Sequence, residues 1–332
     1  MDHKVLLQVK NLNVSTIENE EAVKIIDGVD LRIREGETVG LIGPTAAGKT
    51  ITAMAILELL DPFGVEELYW RVEGETLFKG RDLRRLPRGE LDKIRGKDIS
   101  MIPQKPIRSL NPLYTVGFQT GEPLEVHEKL ERQIIERMVI EYLGKVELPD
   151  AKTRRHFFRH QFSGGEAQRI MIAMALICNP SLLLADEPTS DLDVTIQRQV
   201  LELLKRMKAE FGLSMLMITH DLGVIAEMSD YVYVMYAGRI IEHGDVTTIF
   251  KKTRHPYTRG LLSSVPRIDG DDIKLKGIPG NLPPPPYDFP RCSFYPRCEH
   301  RDERCGSEIP GLRQIRPDHY VACHKAENLQ AG

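Results

Sequence analysis

At 332 residues the chain exceeds one typical domain, which points to one large domain with an appendage. It is 41% hydrophobic and 28% charged, an ordinary globular composition, and its formal net charge of −3 gives no global argument for nucleic-acid binding. The longest apolar run, Ile170 to Cys178, falls far short of the ~18–20 residues that cross a bilayer.

The opening Met1-Asp2-His3-Lys4 leads into a strand-like stretch rather than a signal peptide. A cytoplasmic chain is expected, with any membrane role exercised through partner subunits. Residues 4–12 and 31–34 read as strands of a small antiparallel sheet, with acidic Glu18-Asn19-Glu20-Glu21 as a solvated turn. Glu37 to Ile42 reads as a buried strand, and Ile51 to Leu60 as a helix stopped by Asp61-Pro62. Between them Gly43-Pro44-Thr45-Ala46-Ala47-Gly48-Lys49-Thr50 fits G-x-x-x-x-G-K-[ST]. Strand, glycine loop and helix are the setting in which backbone N–H groups and a helix N-terminus hold an anion. In that reading Lys49 reaches the β- and γ-phosphates of a nucleotide, and the Thr50 hydroxyl ligates Mg²⁺. The plain alternative is a chance glycine turn before a helix.

Residues 66–80 are again β-like, and Ile99 to Gln104 is a strand ending on Gln104. A Gln there can ligate Mg²⁺ and the attacking water, although taken alone the ordinary polar residue is the favoured reading. Lys105 to Val116 reads as a loop. From Val116 to Phe162 the pattern turns helical, with Ile134, Ile135, Met138, Val139, Tyr142 and Leu143 on one face, which suggests a helical subdomain inserted into an α/β unit. Ser163-Gly164-Gly165-Glu166-Ala167 then opens a helix running from Gln168 to Cys178. A Ser N-cap followed by glycines is a second potential anion site, and equally an unremarkable capped helix start.

Ser181 to Ala185 is an apolar strand ending on Asp186 and Glu187. Asp186 is placed to hold Mg²⁺ through its waters and Glu187 to polarise a water as general base; two acids there could also be a strand meeting solvent. The turn Thr189 to Asp193 precedes a helix over residues 194–210. Leu213 to Thr219 is another strand, ending on His220, which is either structural or aimed at the same phosphate. Residues 231–242 are β-rich, and proline-dense Pro279 to Pro290 reads as an extended linker.

Of the five cysteines, Cys178 sits alone in an apolar helix and reads as a packed core thiol. Cys292, Cys298, Cys305 and Cys323 are spaced C-x₅-C-x₆-C-x₁₇-C. In a reducing compartment such clustering favours metal or cluster ligation over disulfides. Four thiolates suit a [4Fe–4S] cluster and would equally satisfy Zn²⁺, although paired C-x₂₋₄-C knuckles, usual for structural zinc, are missing. His300, His319 and His324 lie nearby in sequence.

Together these pieces resemble the nucleotide-binding subunit of an ABC transporter. Gly43–Thr50 is similar to Walker A, Gln104 to the Q-loop, Ser163–Ala167 to the signature motif, Asp186-Glu187 to Walker B with its catalytic Glu, Ser190–Asp193 to the D-loop and His220 to the switch His. The ordered set is more specific than any one motif. Ser109-Leu110-Asn111-Pro112, Asp193 to Gln197, Met235 to Ile240, His255-Pro256-Tyr257-Thr258 and the tail from Asn281-Leu282-Pro283 resemble the dipeptide/oligopeptide importer branch, where the tail cysteines carry an iron–sulfur cluster.

The resemblance implies an α/β P-loop ABC ATPase core with a small antiparallel β subdomain, an inserted helical subdomain over about residues 100–170 and a cysteine-containing extension over 251–332. It implies ATP and Mg²⁺ as ligands and Ser163-Gly164-Gly165-Glu166 capping the ATP of a facing subunit. It also implies a second ATP-binding subunit as heterodimer partner, two permease chains, an extracellular binding protein and a place at the cytoplasmic face of the membrane. Peptides are the expected cargo, with oligosaccharide or nickel among relatives. A DNA or ribosome ATPase is the rival class, but only about 113 residues separate Thr50 from Ser163, with no sustained heptads and a single cassette. The chain departs from the usual pattern at Phe162, where Leu is commoner, and at Asp191, where a small residue is usual. It also has no aromatic near Val23 to stack on adenine.

Overall fold

The computed structural model describes residues 4–18, 21–60, 69–264 and 277–329. The chain divides into two units, one formed mainly by Arg85–Ile218 with Arg34–Glu37, the other by Val5–Ile33, Thr38–Arg84 and the described residues from Thr219 onward.

In the second unit the strands Thr38–Ile42 and Tyr231–Tyr236 are buried at every position and pair in parallel. Such continuous apolar runs suit strands covered on both faces. Tyr231–Tyr236 turns back through Ala237 and Gly238, both at positive φ, into the antiparallel strand Arg239–Asp245; a two-residue turn of this kind matches the twist of its strands. His319–Val321 pairs with Arg239–Asp245, and Arg313–Arg316 pairs with His319–Val321. The C-terminal residues thus extend this sheet. A separate antiparallel sheet runs in the order Glu21–Arg34, Val5–Glu18, Tyr69–Phe78, Arg81–Asp82. The expected small sheet is therefore present, with strands longer than the apolar alternation alone outlined.

The helix after the glycine loop spans Lys49–Ile56, shorter than expected. Glu58 adopts a left-handed conformation, its N–H donates to Ala55 O, and the Leu59 N–H donates to Met54 O. This double bond is a Schellman stop. The Asp61-Pro62 stop expected from sequence lies outside the described residues.

In the first unit Leu182–Asp186 is flanked by Ile99–Ile102 and Ser214–Thr219, all parallel. The helices Val116–His127, Arg132–Lys145 and Gly164–Leu176 pack together, burying Ile135, Val139, Tyr142 and Leu143. The 105–116 stretch contains one short helix, Pro106–Ser109. Buried Gln119 orders the loop over residues 111–114: its Oε1 accepts from the Asn111 N–H at 2.8 Å and its Nε2 donates to Tyr114 O at 2.9 Å.

The C-terminal strand is fastened by one carboxylate. Glu242, fully buried, accepts from Thr253 Oγ1 at 2.7 Å, from the Arg254 N–H at 2.7 Å and from His319 Nε2 at 2.8 Å. Burial alone would raise its pKa, but these hydrogen bonds, led by that of His319, bring it below the usual carboxylate value. Glu242→Ala strands several buried donors and is expected to cost about 3–5 kcal/mol in denaturant unfolding. It should also open residues 313–329 to proteases before the rest of the chain. Wild-type stability in this variant would show that the carboxylate does not fasten the strand.

Candidate nucleotide site

Thr38–Ile42 delivers the chain into Gly43, where only a glycine fits: a Cβ there would lie 2.3 Å from the Met235 carbonyl oxygen. Ala46 and Gly48 are at φ of 67° and 107°, and the helix begins at Lys49. Lys49 is buried, and its Nζ donates to Gly43 O and Pro44 O, each at 2.9 Å. The ammonium therefore lies across the loop's own carbonyls, beside a helix start that favours anions. Thr50 is half-buried in the first turn. The same unit contains His220, exposed between the strand ending at Thr219 and the helix Leu222–Met228. The Asp221 N–H bonds Thr219 Oγ1 at 3.0 Å, and the Asp221 carboxylate caps that helix through the Gly223 N–H at 2.8 Å.

The other unit carries the carboxylates. Leu182–Asp186 is buried throughout, so Asp186 is held in a low-dielectric position where a carboxylate is costly without cationic or hydrogen-bonding company. Glu187 is at φ 48°, its N–H donating to Ile218 O at 2.7 Å. Gln104 Nε2 donates to Glu187 Oε2 at 3.2 Å, and Ser190 Oγ donates to both Gln104 O at 3.2 Å and Glu187 O at 3.0 Å. Sequence reasoning named Gln104 and Glu187 separately. The structure brings them together at the carboxyl ends of parallel strands, where α/β sheets place ligands.

Ser163 caps Gly164–Leu176: its Oγ accepts from the Glu166 N–H, and its own N–H donates to Glu166 Oε2 at 3.0 Å. This is a capping box. Arg154, 2.6 Å from Glu166 Oε1, holds that carboxyl down to about 2. Arg169 reaches Val146 O at 2.9 Å, Glu147 at 2.7 Å and Gln199 at 3.1 Å. The helix start faces an open cleft of about 530 Å³, lined also by Asp191, Leu192 and Asp193. Asp191 sits at φ 63°, a conformation Asp tolerates better than most residues, which accounts for its place in this turn. Sequence reasoning missed Arg154 and Arg169; a lone Arg in a helical pattern gives no signal of a distant carboxylate partner.

Cys292, Cys298, Cys305 and Cys323 line one small, mostly apolar pocket with Phe294 and Tyr295. The Cys292 N–H donates to Cys305 O at 3.2 Å, and Asp302 caps the turn carrying Cys305 at 3.0 Å. Burial pushes the Cys292 thiol up to about 11 and the Cys323 thiol up to about 12, with the neighbouring cysteines adding to the latter. Among the described residues all five cysteines are free thiols, and no three His, Cys, Asp or Glu side chains are grouped so as to hold a metal ion. Cys178 is half-buried, its thiol pushed up to about 11 by burial.

A family model described as ABC transporter matches residues 26–190, and one described as oligopeptide/dipeptide transporter, C-terminal region, matches residues 241–305. The dipeptide transport ATP-binding protein DppD of Bacillus subtilis is 45% identical over 319 residues, covering 96% of this chain and 94% of that protein. The oligopeptide transport ATP-binding protein OppD of Escherichia coli is 43% identical over 321 residues, covering 96% and 93%. A solved dimeric ATP-binding cassette in a post-hydrolysis state, bound to ADP and phosphate, matches with a TM-score of 0.63 at 28% identity, covering 72% of this chain and 98% of that one. With likeness at this level running nearly end to end, the chain belongs to the ABC transporter ATP-binding proteins, in their oligopeptide/dipeptide branch.

Proposed function

We propose that this chain is the ATP-binding and ATP-hydrolysing subunit that powers an importer for peptides. The observation that carries the reading is a Lys49-bearing glycine loop and a Gln104–Glu187 pair in a chain similar nearly end to end to peptide-transport ATP-binding proteins.

Each role is the one the family gives to the matching position. Backbone N–H groups of Gly43–Thr50, with Lys49, hold the phosphates, and the bonds Lys49 now makes to loop carbonyls are ones phosphate oxygens can replace. Thr50, Gln104 and Asp186 serve Mg²⁺, and a buried carboxylate such as Asp186 suits that cation. Glu187 takes the proton of the attacking water, with Gln104 orienting its carboxylate. His220 addresses the γ-phosphate. Ser163, Gly164 and Gly165 offer N–H groups to the ATP of a facing subunit, while Glu166 keeps that helix start in shape through its cap.

The working assembly in this reading is a heterodimer with a second ATP-binding subunit, joined to two permease chains and an extracellular binding protein, at the cytoplasmic face of the membrane. Residues 1–250 form the ATPase domain, with a helical subdomain over about 100–170, and residues 251–332 form the extension. Exposed Leu113, Tyr114 and Phe118, the last two stacked at 4.9 Å, give the 105–118 stretch an apolar surface suited to a permease.

Glu187→Gln keeps the shape and removes the base. In the assembled complex turnover should fall at least about 100-fold while ATP binding persists. Near-normal turnover would overturn the assignment of Glu187.

The extension is proposed to hold a [4Fe–4S] cluster on Cys292, Cys298, Cys305 and Cys323. Four thiols lining one pocket supply the full ligand complement, and a cluster gives each thiolate its own iron, whereas zinc needs all four around one ion. Bound iron would also supply the charge that keeps buried thiolates deprotonated. Anaerobic purification followed by iron and sulfide analysis should give four of each per chain by this stoichiometry. Stoichiometric zinc without iron, or a colourless protein, would refute it.

A further inference from the structure

Tyr287 lies in the proline-dense stretch that sequence reading took for a linker. It is instead among the most buried side chains of the protein, 1% exposed. Its Oη donates to the carbonyl of Ala46, inside the glycine loop, at 2.9 Å. Its own N–H donates to Lys24 O at 2.7 Å. Burial raises the pKa of its hydroxyl, which therefore remains a donor at neutral pH.

A second contact acts in parallel on the next peptide. The Gly238 N–H donates to Ala47 O at 3.0 Å, and Gly238 O accepts from the Asp27 N–H at 3.0 Å. The strand segment Lys24–Asp27 thus anchors both groups that grip the loop from behind. Because a peptide is planar and its N–H points opposite to its C=O, holding the carbonyl of Ala46 steadies the Ala47 N–H in its turn bond to Pro44 O at 3.2 Å, and holding the carbonyl of Ala47 sets where the Gly48 N–H points. Ala46 is also held in a left-handed conformation, at φ 67°, which is costly for a non-glycine residue and persists only when its surroundings impose it. The prolines on either side of Tyr287, Pro283 to Pro286 and Pro290, restrict the backbone that carries it.

We propose that Tyr287 is a positioning residue of the nucleotide site, by which the C-terminal region holds the phosphate loop in its anion-binding shape. The proposal rests on the reading that Gly43–Thr50 binds ATP. It makes the C-terminal stretch that carries Tyr287 a working part of that site.

Tyr287→Phe keeps the ring and removes the one hydroxyl bond. MgATP binding to the full chain is measured by calorimetry, and ATPase kinetics in the assembled complex. The expected result is affinity about 3- to 10-fold weaker, the span of one neutral hydrogen bond, with KM for ATP raised and kcat kept. Two variants run beside it. Lys49→Ala should abolish binding; wild-type affinity there would refute the loop reading itself. Tyr142→Phe removes another tyrosine hydroxyl bond, to Asn179 in the other unit, and should lower thermal stability without touching ATP affinity. Loss of binding in Lys49→Ala with wild-type affinity in Tyr287→Phe would overturn the proposal. Equal weakening by Tyr142→Phe and Tyr287→Phe would overturn it as well, since the effect would then be general destabilisation.

Discussion

A loop that binds an anion through its backbone cannot rely on its own side chains for its shape. Gly43–Gly48 is held from behind: the Met235 carbonyl lies where any Cβ at Gly43 would be, the Gly238 N–H holds Ala47 O, and Tyr287 holds Ala46 O. These contacts fix the direction of the loop's N–H groups before any ligand arrives. Preorganisation of this kind is where binding sites gain affinity, because the ordering cost falls on folding rather than on binding. It also explains why the strand Tyr231–Tyr236 and its turn, far along the chain, matter to a motif that ends at Thr50.

The chemistry of the other unit obeys the same logic with charge in place of backbone. Glu187 is tied through Gln104 and, by its own carbonyl, through Ser190. Glu166 is committed to the Ser163 cap and to Arg154, so the charge of the carboxylate beside Gly164 and Gly165 is offset by a paired guanidinium. The helix start can then favour an anion despite its acidic third residue.

The parts legible in the sequence were those whose cause is local. The glycine loop, the strand into Asp186-Glu187 and the Ser163 cap each lie within a few consecutive residues, and the structure places each on the element expected. Continuous apolar runs pointed to buried strands for the same reason, and their parallel pairing came only with the structure. What sequence could not show depends on residues far apart in the chain. The Schellman stop at Glu58 is a backbone conformation that a Glu does not advertise. The Glu242–His319 bond joins positions 77 residues apart, and the Tyr287–Ala46 bond joins positions 241 apart. Neither pair carries a motif. Prolines between 279 and 290 suggested an extended linker, and the backbone there is indeed without helix or strand, but Tyr287 turns it into packed structure. The cysteines were legible as a set, and the structure adds that all four reach one pocket without forming a grouping for a single ion.

Amide hydrogen exchange of the full chain with and without MgATP tests most directly whether a prearranged loop, braced by the tail, is where the triphosphate binds. The account predicts slower exchange on adding nucleotide at Ala46–Thr50 together with Gly238 and Tyr287, whose N–H groups bond Ala47 O and Lys24 O. Nucleotide binding that leaves exchange at 46–50 unchanged, or that protects the loop while 238 and 287 exchange as before, would contradict it.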